Sequence, residues 1–179
     1  MTSDNINNQI VNLARKAIEE YVQNGKKINK VKNDLPEEFY QKKRGTFVSI
    51  KKNGNLRGCI GTVEPTQENV VQEIIRNAVN ACSHDPRFPA VSSEELDNLT
   101  ISVDILGEKE PVNSLEELDP SVFGVIVQKG HQTGLLLPDL EGINTPEEQV
   151  SIAKKKAGIS PGENVENLNL YRFKVKRYE

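Results

Sequence analysis

The stretch TFVSIKKNGNLRGCIGT, residues 46–62, decides how this chain begins to fold. Its first five residues are mostly β-branched or aromatic, and such side chains favour a strand. Asn53-Gly54 is the dipeptide that a type I′ turn prefers, because both central residues of that turn need a positive φ. Residues 56–62 follow as the return strand. The stretch therefore predicts a β-hairpin.

Alternation along the return strand predicts which of its side chains share a face. Successive side chains of a strand point to opposite faces. Leu56 and Ile60, with Gly58 between them, are therefore expected on the face that packs against the core. Arg57 and Cys59 are expected to be neighbours on the opposite face.

Hydrophobic periodicity elsewhere predicts both helices and strands. A helical stripe begins at Ile6 and stops at Gly25, and the basic segment 26–43 is expected to be a connecting loop. A second helix is expected at 67–83, and a third starts at the Thr145 cap. Strands are expected at 100–105, 124–128, 134–137 and 168–178. This mixed order predicts an α+β fold with largely antiparallel sheets and flanking helices.

Length and composition limit the classes of protein to consider. The 179 residues suffice for one substantial domain or for two small lobes that share a core, and the net charge of −3 gives nonspecific nucleic-acid binding no electrostatic help. No apolar run reaches the roughly 20 residues of a membrane helix. The first residues lack the pattern of a signal peptide. We expect a cytoplasmic protein that binds neither membrane nor nucleic acid.

Cys59 is the first candidate for chemistry. A cation such as Arg57 on its face would stabilise the thiolate, which is the reactive form of cysteine. Gly58 and Gly61 flank it, and glycine within a strand often marks close approach by a ligand or by another segment. The alternative is that Cys59 is a small buried hydrophobic residue. Cys82 lies on the apolar stripe of the second helix and is expected in the core.

The segment 85–89 is the second candidate, with the sequence DPRFP. Its prolines would hold Asp85 and Arg87 in place, and an arginine can bind a substrate carboxylate or phosphate with two hydrogen bonds. Alternatively, the Asp85 side chain closes the turn while Arg87 and Phe88 pack against it. The residues alone leave both interpretations open.

The two histidines are weaker candidates. His84 follows a helix and could act as a base for a thiol, whereas His131 lies at an expected hairpin tip. The histidines and cysteines lack the paired spacing of zinc ligands, so we expect no metal site. No phosphate-binding glycine loop or dinucleotide fingerprint occurs, and we expect no cofactor.

The motifs together resemble the AMMECR family. The hexapeptide LRGCIG at 56–61 is similar to the family's signature, and DPRFP at 85–89 is similar to its second motif. The resemblance covers nearly the whole chain, and it implies that residues 1–179 form a single domain. It implies an α+β fold of two unequal lobes with a cleft near residues 56–62. It also implies association with a Memo-type protein and a radical S-adenosylmethionine (SAM) enzyme, which together form the AmmeMemoRadiSam system.

Two functional hypotheses follow. In the first, the chain is an enzyme or enzyme component in which Cys59 and Arg57 are catalytic. In the second, it is a noncatalytic module that binds a small anionic ligand or a partner protein. Under either hypothesis the expected ligand-binding residues are Gly58, Gly61, Asp85 and Arg87.

Overall fold

The computed structural model describes residues 3–28 and 35–179, and it has the predicted α+β architecture. Its α-helices are α1 (Ser3–Asn24), α2 (Glu38–Gln41), α3 (Val70–Ser83) and α4 (Pro146–Ala157). Its strands are β1 (Thr46–Lys52), β2 (Asn55–Gly61), β3 (Leu99–Leu106), β4 (Glu110–Val112), β5 (Gly124–Lys129), β6 (Gln132–Leu136), β7 (Asn169–Phe173) and β8 (Val175–Tyr178). Short 3-10 helices lie at Ser93–Asn98, Leu115–Glu117 and Val165–Asn167.

The strands form two sheets, and the chain divides into two compact units. One sheet has the strand order β2-β1-β3-β8 and the other has the order β4-β7-β5-β6. The first unit contains the residues up to Ile105 together with Lys176–Glu179, and the second contains Leu106–Val175. Each unit has its own cluster of buried hydrophobic residues. The predicted fold class, with two unequal parts, is confirmed.

The core of the first unit lies where α1 and α3 pack on one face of the first sheet. The buried stripe of α1 consists of Ile10, Leu13, Ala14, Ala17 and Ile18, each at most 1% exposed. Val48 and Ile50 of β1 and Ile101 and Val103 of β3 belong to the same cluster. The N-terminal helix is therefore a packing element of this unit.

The hairpin of β1 and β2 forms as predicted, with one irregularity in its pairing. Asn53 and Gly54 have φ values of 52° and 82°, as a type I′ turn requires. The register then shifts between Ile50, which pairs with Gly58, and Lys51, which pairs with Leu56. Arg57 is left over as the extra residue of a β-bulge.

The bulge corrects the expected position of Leu56. Because Leu56 pairs with the exposed Lys51, it lies on the outer face and is 44% exposed. The prediction that it faces the core is wrong. Beyond the bulge the prediction holds, because Ile60 pairs with the buried Val48 and packs against the core.

The second unit packs α4 on β5 and β6. Thr145 caps α4, as predicted, while Pro146 follows at the first position and Glu148 completes a capping box. Gly158 ends the helix with a φ of 70° in the left-handed region. Val125 and Val127 of β5 belong to the core of this unit.

Two assignments differ from the prediction by more than a few residues at the end of an element. The expected strand at 168–178 is interrupted at Lys174, so that β7 belongs to the second sheet and β8 to the first. The expected loop at 26–43 contains the short helix α2, whose Phe39 is buried in the core of the first unit. Residues 29–34 of that loop lie outside the described residues.

No helix in the described ranges has both the length and the hydropathy needed to cross a bilayer.

Replacing Ile10 by Asp tests the role of α1. Ile10 is 0% exposed, so the variant would bury an unpaired carboxylate. We expect the free energy of unfolding to fall by about 3 kcal/mol or more. Asn8→Asp, at an exposed position of the same helix, is the matched control and should change it by less than about 0.5 kcal/mol. Equal effects in urea titrations of the two variants would contradict the assignment.

Candidate functional site

The site is built on the outer edge of β2, which is one of the two edge strands of the first sheet. The Cys59 amide N–H donates to Oδ2 of Asp85 at 2.9 Å, and the Cys59 carbonyl accepts from Nη2 of Arg87 at 3.1 Å. Side chains of the 85–89 turn thus take the place of a neighbouring strand. Both backbone polar groups of Cys59 are satisfied, and its position is fixed.

Asp85 holds this turn and the strand together. Its side chain is 2% exposed and accepts four hydrogen bonds, from the Cys59 amide and from the Arg87 amide, Nε and Nη2. The hydrogen bond with the Arg87 side chain is the main cause that lowers the pKa of Asp85. These contacts show the second of the two interpretations of this turn, its closure by the Asp85 side chain. Binding of a substrate carboxylate or phosphate by Arg87 stays a prediction, and the group that the pair holds in this structure is the backbone of Cys59.

Arg87 is the exposed partner of this pair. Its side chain is 54% exposed, and its Nε and Nη2 are engaged by Asp85 and Cys59. Its pKa is raised, first by the hydrogen bond with Asp85. The hydrogen bonds of Arg87 leave Nη1 without a partner among the described residues. The guanidinium thus keeps one donor edge for solvent or a ligand.

The Cys59 side chain lies on the face opposite the core. Cys59 pairs with Ser49 of β1, and Ser49 pairs with Ser102 of β3, so that three short polar side chains form a row across the sheet. The Ser49 hydroxyl donates to the Cys59 sulfur at 3.2 Å. Cys59 is half-buried and is a free thiol. A thiol in this position is accessible and has a hydrogen-bond donor.

Arg57 does not contact the thiol. Its Nε and Nη2 donate to the two carboxylate oxygens of Glu95 at 3.0 and 2.9 Å, and its Nη1 donates to the Pro89 carbonyl at 2.9 Å. Lys52 binds the same Glu95 at 3.0 Å. These contacts join the hairpin to residues 89–95.

The prediction that the Arg57 and Cys59 side chains are neighbours is therefore not confirmed by the contacts. The bulge removes Arg57 from the simple alternation, and its side chain is only 13% exposed. The cation that touches Cys59, at its carbonyl, is Arg87. The hydrogen bond from Arg57 also lowers the pKa of Glu95 to about 2.

The glycines beside Cys59 are explained by close packing within the chain. A Cβ on Gly58 would lie 2.2 Å from the Ala81 carbonyl of α3, and one on Gly61 would lie 2.1 Å from the Phe47 ring. The close approach that the sequence predicted is thus made by other segments of the same unit.

The remaining candidates lie apart from this cluster. Cys82 is buried, and burial raises the pKa of its thiol to about 11. His84 is exposed, and its Nδ1 lies 2.6 Å from the Ser83 hydroxyl. His131 is exposed between β5 and β6. Within residues 3–28 and 35–179, no three His, Cys, Asp or Glu side chains converge in a group that could hold a metal ion.

Sequence reasoning missed Glu95 and Ser49. Ser92 and Glu95 form a capping box, whose spacing is visible in the sequence, but the box does not reveal that Arg57 shares the carboxylate. Ser49 faces Cys59 only because of the bulge. A regular hairpin with the same turn would pair Cys59 with Val48.

Replacing Arg57 by Gln tests its structural role. The variant leaves the mostly buried Glu95 without its bidentate partner, so we expect the free energy of unfolding to fall by about 2 kcal/mol at neutral pH. Lys51→Gln removes an exposed cation from the same hairpin and should have little effect. Because the pKa of Glu95 is lowered to about 2 in the folded state, its contribution is present above about pH 4.5 and is lost as the pH falls through 2. The difference between wild type and variant should shrink over that range in acid-unfolding curves, and a constant difference would contradict this account.

Comparison with known proteins agrees with the motifs. The AMMECR1 family model matches residues 11–178. A protein of Thermotoga maritima is 49% identical over 94% of this chain and 96% of its own length. A protein of Clostridium acetobutylicum is 47% identical, and there the matched region is 35% of the relative's length. The crystal structure of an uncharacterized protein from Pyrococcus horikoshii has a TM-score of 0.83 and 35% identity, and the match covers 94% of this chain and 88% of that one. The chain belongs to the AMMECR1 family.

Proposed function

We propose that this protein uses Cys59 as a nucleophilic thiol, either as an enzyme or as the reactive component of one. The observation that carries the proposal is the way Cys59 is held. Its amide and carbonyl are both bound by the Asp85–Arg87 pair, while the Ser49 hydroxyl donates to its sulfur. A nucleophile is effective when its position is fixed before the substrate arrives.

The placement of the thiol supports this proposal over a core role. Cys59 is half-buried on the polar face of the sheet, whereas Cys82 is buried among apolar side chains. Only the thiolate is a good nucleophile, and an apolar surrounding disfavours it. The two cysteines of the chain thus have opposite surroundings.

The roles of the other predicted residues are part of the same proposal. Asp85 is buried and acts through Arg87 and the backbone of Cys59. Gly58 and Gly61 allow α3 and Phe47 to approach β2. Arg57, which the sequence placed in the catalytic pair, holds Glu95 and serves the architecture of the site.

Selective alkylation tests the proposal. Native protein is treated with iodoacetamide at pH 7.5, and the labelled cysteine is mapped over time by mass spectrometry. We expect Cys59 to react in the folded protein and Cys82 to react only after unfolding, because burial raises the pKa of Cys82 to about 11. Cys59→Ser provides the control for the assignment. Equal protection of both thiols would refute a nucleophilic role for Cys59.

The exposed edge of Arg87 favours a small anionic substrate. The guanidinium lies beside the Cys59 carbonyl and over the Phe88 ring, the side chain is 54% exposed, and Nη1 makes no hydrogen bond within the described residues. A carboxylate or phosphate bound there would lie next to the thiol. The same geometry serves the second hypothesis, a noncatalytic site for an anionic ligand, if the thiol proves inert.

Iodoacetate and iodoacetamide separate these roles, because they share the reacting carbon and differ in charge. In both reactions the thiolate displaces iodide and forms a thioether. We expect Arg87→Gln to reduce the ratio of the iodoacetate rate to the iodoacetamide rate by about three- to tenfold, which is roughly 1 kcal/mol. Lys51→Gln, an exposed cation on the same face of the sheet, should leave the ratio nearly unchanged. A ratio that is equal in wild type and Arg87→Gln would remove Arg87 from substrate recognition.

The resemblance to the AMMECR family supports a proposal about the partner proteins with which the Cys59 thiol works. We propose that the protein acts in the cytoplasm as a component of the AmmeMemoRadiSam system, beside a Memo-type protein and a radical SAM enzyme. Co-purification of the three proteins expressed together, with Cys59→Ser as the comparison, would show whether they associate and whether the thiol is needed for it.

A further inference from the structure

Cys59 and Ser49 form the closely spaced kind of antiparallel strand pair, in which the two residues exchange no backbone hydrogen bonds. The N–H and C=O of a strand residue point to the same side, and those of Cys59 point outward to Asp85 and Arg87. Cys59 and Ser49 are therefore a non-hydrogen-bonded pair, whose Cα atoms lie about 4.5 Å apart instead of about 5.5 Å. This close spacing allows the hydroxyl of Ser49 to reach the sulfur at 3.2 Å.

Ser49 is the side chain that contacts the sulfur. Arg57 is engaged by Glu95, and Arg87 touches the carbonyl of Cys59. Charged groups that the turn and the strand register bring to the same part of the sheet are the Asp85–Arg87 pair, Lys51 on β1, and Asp104 on β3, which is paired with Arg177 of β8. The Ser49 hydroxyl, in contrast, donates a hydrogen bond directly to the sulfur.

We propose that Ser49 is a positioning residue for the Cys59 thiolate. Its hydroxyl donates a hydrogen bond to the sulfur, which stabilises the ionised form and fixes the direction of its lone pairs. The proposal rests on the proposed function of Cys59 as a nucleophile. It assigns to a serine of β1 the role that the sequence gave to Arg57.

The chain contains a matched control for this assignment. Ser102 lies on the same face of the sheet, one strand further from Cys59, and pairs with Ser49. Its hydroxyl has no hydrogen-bond partner among the described residues. Replacing Ser102 by Ala therefore removes the same chemical group from the same face without removing the contact to the sulfur.

The test measures the ionisation of the thiol in three variants: Ser49→Ala, Ser49→Thr and Ser102→Ala. All are made together with Cys82→Ala, so that Cys59 is the single thiol. Thiolate ultraviolet absorbance and the iodoacetamide rate are followed from pH 5 to 10. We expect Ser49→Ala to raise the midpoint by about one pH unit, whereas Ser49→Thr keeps the hydroxyl and Ser102→Ala keeps the contact, so both should match wild type.

The outcomes distinguish a failure of the role of Ser49 from a failure of the proposed function of Cys59. Coinciding midpoints in Ser49→Ala and wild type would overturn the role of Ser49, even if Cys59 is reactive. A shift of equal size in Ser102→Ala would also overturn it, since the effect would then belong to the polarity of the whole face. If Cys59 does not react with iodoacetamide in any variant, the proposed function fails. The absorbance titration still decides the role of Ser49, because it needs no reagent to reach the sulfur.

Discussion

The buried carboxylate of Asp85 is the interaction on which the arrangement of the site depends. An edge strand presents unpaired N–H and C=O groups, and these must find partners. Asp85 satisfies the N–H of Cys59 and at the same time holds Arg87, which satisfies the carbonyl. A carboxylate that is 2% exposed is stable only when it is fully paired. The stability of the turn and the position of the thiol are therefore coupled, since both depend on hydrogen bonds to the same carboxylate.

The two arginines near Cys59 have different roles: Arg57 holds segments of the chain together, and Arg87 is largely exposed to solvent. Arg57 uses Nε, Nη1 and Nη2 to bind Glu95 and the carbonyls of Pro89 and Ala90, and is 13% exposed. Arg87 is 54% exposed and keeps Nη1 free of protein partners in the described chain. Arginine is suited to both tasks because its planar guanidinium can bind a carboxylate with two hydrogen bonds and still present another edge. In this site only Arg87 has such an edge left.

Local sequence patterns predicted the helices and strands well, whereas contacts between residues far apart in the chain could not be predicted. The Asn53-Gly54 turn, the capping box at Thr145 and the apolar stripe of α3 depend on residues close in the chain, and all three are confirmed. The bulge at Arg57 has no such local signal, yet it reverses the face of Leu56 and changes the partner of Cys59. The contact between Arg57 and Glu95 spans 38 residues and could not be read from spacing. The roles of Cys59, Arg57 and Arg87 remain predictions that the proposed experiments test.

The bulge also accounts for the outward position of the thiol. In a regular hairpin closed by Asn53-Gly54, Cys59 would pair with Val48, whose side chain is 0% exposed, and would face the core. The extra residue shifts the pairing by one, so that Cys59 meets Ser49 on the polar face and Ile60 meets Val48 in the core. The shift is held at two positions of the strand, since Arg57 is bound to Glu95 and Cys59 is bound to Asp85. Bulges recur next to functional sites because they redirect a side chain while the rest of the sheet stays paired. In this hairpin the side chain that is redirected is the thiol, and the residue that makes the redirection possible is Arg57.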